Sequence, residues 1–114
     1  MYGLITKLTT VPGKREAVID LLATRANPPG GCLSYVAARD PQDPDTVWVT
    51  EVWTDEAAHR AALRRPDIKA GLTRALNWIA TMHDSIVTEP VGGIGLGQAG
   101  SAAETDASTA SADT

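Results

Sequence analysis

The segment Thr46 to Trp53, reading TVWVTEVW, constrains the fold more than any other part of the chain. Its β-branched and aromatic residues suit a pleated strand, and Val47, Trp48, Val49, Val52 and Trp53 supply large apolar groups to both faces instead of one. Such a strand needs cover on two sides. Trp48 and Trp53 are an odd number of residues apart, so they point to opposite faces of whatever sheet contains them.

The flanking sequence supplies cover for one face. Tyr2 to Thr10 is strand-like and is closed by Pro12-Gly13. From about Pro12 to Ala26, Val18, Leu21, Leu22 and Ala26 recur at helical spacing, and Asn27-Pro28-Pro29-Gly30-Gly31 ends that helix. Cys32 to Arg39 reads as a second strand, joined to the double-faced strand by the turn-rich DPQDPD. Thr54-Asp55-Glu56 then caps a helix that Pro66 should break near Arg65, and its second piece carries the stripe Ile68, Leu72, Ala75, Leu76 and Ile79. Ser85 to Glu89 reads as the last strand, followed by a glycine-rich apolar arm to Leu96.

The order is β-α-β-β-α-β, the α+β arrangement of a ferredoxin-like fold with both helices on one face of an antiparallel sheet. The other face stays open, and the natural cover is the sheet of a second copy, so a homodimer is expected. Residues 1–97 form the expected domain; 98–114, rich in Ala, Ser, Thr and Asp, should be a disordered C-terminal tail.

Charge and cysteine usage narrow the function classes. The formal charge is −4, but Glu104, Asp106 and Asp113 lie in the tail, which leaves the rest near −1 (−4 less −3). The cluster Arg60, Arg64, Arg65, Lys69 and Arg74 has the spacing of a solvated helix face, so no nucleic-acid partner is expected. The single cysteine, Cys32, allows neither an internal disulfide nor a multi-thiolate metal site and suits a strand core. No run approaches the ~18 apolar residues of a membrane span, and no leader pattern opens the chain; a cytoplasmic protein without a membrane partner is expected.

Few residues could carry chemistry. His59 and His83 are far apart in sequence with no carboxylates framing them, and Gly92-Gly93-Ile94-Gly95 does not join a strand to a helix, so no metal or nucleotide site is expected. His59 is either a helix-edge histidine or a general base in a pocket between helix and sheet, on the same helical side as Leu63. Trp78, beside Gly71 and Met82, suits a pocket wall or the core; Tyr35 offers a ring and a hydroxyl on the second strand. Glu51 shares a face with Trp53, and a covered carboxylate needs a partner, for which Arg39 on the neighbouring strand is the candidate.

These features, in order, resemble the antibiotic-biosynthesis monooxygenase superfamily, especially its small quinol monooxygenases. The matching segments are Val11-Pro12-Gly13 after the first strand, Gly31-Cys-Leu-Ser-Tyr35, Asp43-Pro-Asp45, and Glu51-Val-Trp53 followed by Thr-Asp-Glu-Ala-Ala-His59. The resemblance implies a dimeric α/β barrel and a cofactor-independent monooxygenase acting on a quinol or polycyclic phenol with O2. On that model His59 and Trp53 are catalytic, and Tyr35, Trp78, Met82 and Leu63 bind the small aromatic substrate. Haem-degrading relatives use Asn, Trp and His together, whereas Thr6, Ala62 and Leu72 stand at those positions, so haem degradation is set aside. The competing reading is a non-catalytic dimer that binds a small aromatic ligand.

Overall fold

The computed structural model describes residues 1–23 and 28–96. Eight elements follow one another: β1 (Tyr2–Thr10), α1 (Arg15–Ala23), β2 (Cys32–Arg39), β3 (Thr46–Trp53), α2 (Glu56–Leu63), α3 (Pro66–Leu76), β4 (Ile79–Met82) and β5 (Ile86–Thr88). The strands form one antiparallel sheet in the order β2-β3-β1-β4, with β5 also paired to β1. The expected α+β, ferredoxin-like arrangement is present, and the sheet is open, not closed into a barrel.

Register explains the two-sided character of β3. Pairing of Leu8 with Val47, Thr6 with Val49, Leu4 with Glu51 and Tyr2 with Trp53 puts these side chains on the helix-covered face. There Leu8, Val18, Leu22, Val47 and Val49 form one buried cluster, and Trp53, Ala62 and Ile68 form a second; Leu72 packs against both. Trp53 is 3% exposed while Trp48, on the open face, is 36% exposed, so the two do point opposite ways. Val36, at 51% exposure on β2, lies on the same open face as Trp48.

Local chemistry sets the helix limits. The first helical hydrogen bond of α1 runs from the Val18 amide to the Lys14 carbonyl, so the helix starts slightly later than the expected Pro12. Its expected end near Ala26, like the tail expected at 98–114, lies outside the described residues. The Asp55 side chain caps α2 through the Ala58 amide, and Pro66 opens α3 as a residue that needs no amide bond there.

Two expectations are corrected in this region. Ile79 does not continue the stripe of α3: the Asn77 and Trp78 amides close the helix on the Arg74 and Ala75 carbonyls, and the chain turns into β4, where Ile79 pairs with Thr10. The expected strand at Ser85 to Glu89 is present as β5, and β4 is an additional short strand; both lie along one edge of β1. Arg39 does not meet Glu51 either. It lies opposite Val47, while Glu51 lies opposite Tyr35, four positions or about 13 Å along the strand. Arg39 instead forms a forked pair with Glu16 of α1, its Nε 2.8 Å from Oε2.

Candidate functional site

A cavity of about 370 Å³ opens between β2 and β3 on one side and α2 and α3 on the other. Its apolar wall comes from Ala62, Leu63, Ile68 and Leu72, with Pro28, Pro29 and Cys32 at the β2 end. The polar groups gather on one side: Tyr35 and Glu51 project from adjacent strands, and His59 descends from α2. This mixture of apolar wall and a few convergent polar side chains is the usual make-up of a small-molecule site.

His59 is held on three sides. Its ring meets Trp53 edge-on with centroids 5.3 Å apart, and Tyr2 flanks it at 5.7 Å. Nε2 faces Glu51 Oε1 at 3.8 Å, and the two side chains are only 17% and 12% exposed. Glu51 is itself anchored, because Trp53 Nε1–H donates to the same Oε1 at 3.0 Å. A carboxylate beside an imidazole favours the ring form with hydrogen on the facing nitrogen, here Nε2.

This arrangement depends on how the start of β2 meets α2. Gly31 has φ 82°, a left-handed conformation, and its carbonyl accepts from the Thr54 amide at 2.9 Å. A Cβ on Gly31 would stand 2.6 Å from Ala58 Cβ and 2.8 Å from Thr54 Oγ1. Only a residue without a side chain lets the strand lie this close to the helix that carries His59.

The structure brings together His59, Trp53, Tyr35 and Leu63 of the residues singled out in the sequence. Leu63 is at the rim and 41% exposed; Ala62 takes the inward position of that helical turn. Trp78 and Met82 are elsewhere. Trp78 follows α3 and packs on the other apolar cluster with Lys14 Nζ 5.3 Å from its ring centroid, while Met82 is exposed on β4, opposite Leu8. Both are placed by the chain's turn into β4, across β1 from the cavity. His83 serves the same edge: its Nε2 is 3.0 Å from Thr9 Oγ1 and its amide donates to the Lys7 carbonyl.

Glu51 is the site residue that the sequence reading assigned elsewhere. The signal was present, since strand alternation places Glu51 beside Trp53 on the covered face; its partners depended on register. Among the described residues, no three His, Cys, Asp or Glu side chains gather as a metal-binding group, and no helix is long and apolar enough to cross a membrane.

The fold and site define a ferredoxin-like α+β domain with a half-open aromatic-ligand-sized cavity between its helices and sheet. Residues 1–74 match the family model described as antibiotic biosynthesis monooxygenase, and the chain belongs to that family. A crystal structure of a Chloroflexus aurantiacus J-10-fl protein assigned to the same family is 44% identical, with 84% of this chain and 98% of that one covered and a TM-score of 0.80. Two more distant structures share the fold. One, from Deinococcus radiodurans, has 21% identity, 82% and 96% coverage and a TM-score of 0.65; a conserved protein of Methanosarcina mazei Go1 has 17%, 76% and 89%, and 0.67. The search of curated proteins finds no match.

Proposed function

We propose that this protein is a cofactor-independent monooxygenase that oxidises a quinol or polycyclic phenol with O2, working as a homodimer. The observation that carries the reading is the half-buried His59, packed against Trp53 and beside Glu51 at the polar end of an otherwise apolar cavity. Family membership and the Chloroflexus relative support the monooxygenase class.

The substrate supplies the electrons in this chemistry. Loss of a hydroxyl proton makes an electron-rich phenolate, whose ring carbon passes electrons to O2 and forms a C–O bond. The resulting peroxide takes up a proton, the ring carbon loses its hydrogen as a proton, the O–O bond breaks, and the departing hydroxide becomes water. A hydroquinone and O2 thus become a hydroxyquinone and water, with four electrons passing from ring to oxygen. The protein's tasks are to exclude water and to move protons: His59 relays the proton, Trp53 holds the polar groups in place, and Tyr35 with Leu63 orients the ring.

The test is O2 consumption by metal-free protein over a panel of hydroquinones and naphthols. Turnover above the autoxidation blank is expected for at least one compound. Saturable binding without turnover across the panel assigns the protein to ligand binding instead.

A further inference from the structure

Resting on the reading of the cavity as a phenol site, we propose that a single ring hydroxyl of the ligand bridges Glu51 Oε1 and His59 Nε2, which makes Glu51 the residue that selects hydroxylated rings. The two atoms are 3.8 Å apart. That is too far for a hydrogen bond between them, and their separation suits one intervening oxygen. An oxygen about 2.8 Å from Oε1 and about 2.9 Å from Nε2 subtends roughly 85° between them, tighter than tetrahedral, so the two side chains would part slightly to seat it.

The donor and acceptor roles match. Glu51 offers only acceptor sites as a carboxylate, and Trp53 Nε1–H occupies one lone pair of Oε1 at 3.0 Å, which fixes its direction and leaves a second lone pair. The carboxylate opposite favours the His59 tautomer with hydrogen on the nitrogen that faces it. A hydroxyl can therefore donate to Glu51 and accept from His59, whereas an ether oxygen can only accept. Among the described residues no Lys or Arg pairs with Glu51, and Arg39 is taken by Glu16 at the far end of the strand. With the carboxylate 12% exposed, little water is available to replace a missing ligand hydroxyl.

The experiment is anaerobic calorimetric titration of the full chain with naphthol and with its methyl ether, on wild type and Glu51→Gln. The amide keeps the side chain's shape and an oxygen for Trp53 but removes the charge. Wild type is expected to prefer naphthol by about 10–100-fold, the worth of a hydrogen bond to a charged group. In Glu51→Gln that preference should fall to about threefold or less, with the ether's affinity unchanged. Equal weakening of both ligands would show a merely structural role and overturn the proposal, as would a wild type that does not discriminate or binds neither. Because no O2 is present, failure of the oxidation chemistry leaves this outcome readable by itself.

Discussion

His59 owes its position to Trp53 and to the helix that carries it, so its contribution to chemistry is separable from stability. His59→Ala should lower the oxidation rate by about 10²–10⁴-fold if the imidazole relays the proton, and steady-state kinetics would then show the loss in kcat. A change confined to KM would reduce His59 to a wall of the cavity. Gly31 acts on the same site through the backbone. Gly31→Ala forces a left-handed backbone on a residue with a side chain and drives its Cβ against Ala58, so we expect a loss of about 1–3 kcal/mol in denaturant unfolding. Unchanged stability in that variant would mean that α2 shifts away freely, which a change in cavity binding would reveal.

The turn between β2 and β3 shows how an element is held by charge. Arg15 Nη1 reaches from α1 to the Asp43 carbonyl at 2.7 Å and to that of Asp40 at 3.2 Å. Within the turn, Asp43 accepts from the Asp45 amide and the Thr46 hydroxyl, and these hydrogen bonds hold its carboxyl below the ordinary value of 3.8. The Trp48 indole, followed by the Gln42 amide, does the same for Asp40. Both folded values are depressed, so the stabilisation is complete above the unfolded value and is lost as pH falls through the lowered ones. The turn should loosen before the sheet on acidification below 3.8, seen as earlier amide exchange at Gln42 and Asp45 than in β1. Simultaneous exchange of turn and sheet would show that these bonds contribute no local stability.

At the scale of the whole molecule, the open sheet face is where the proposed homodimer would form. Trp48 and Val36 remain substantially exposed there in a single chain, and a second copy covering that face is the arrangement a small domain gains most from. Sedimentation should give a dimer at micromolar concentration. Val36→Lys, which places a charge on that face, should shift the equilibrium to monomer by tenfold or more while the helix-side core stays folded. A wild-type monomer, or a variant as dimeric as wild type, would move the interface elsewhere.

Periodicity and punctuation alone were enough to read the strand–helix order as far as α3, the break at Pro66 and the opposite orientation of Trp48 and Trp53, because these follow from spacing within a few residues. The same local rules placed His59 and Trp53 near each other, one at the end of a strand and the other in the first turns of the next helix. They failed where the outcome depended on pairing between distant segments. Ile79 fits a helical stripe by spacing, yet Thr10 and the free edge of β1 draw it into a strand. Trp78 and Met82 follow it away from the cavity. Glu51 and Arg39 look like partners on adjacent strands until register sets them about 13 Å apart. Sequence by itself determined which side chains share a face; tertiary structure decided which of them meet, since strand register and the turn after α3 are fixed by long-range hydrogen bonding that no local pattern encodes.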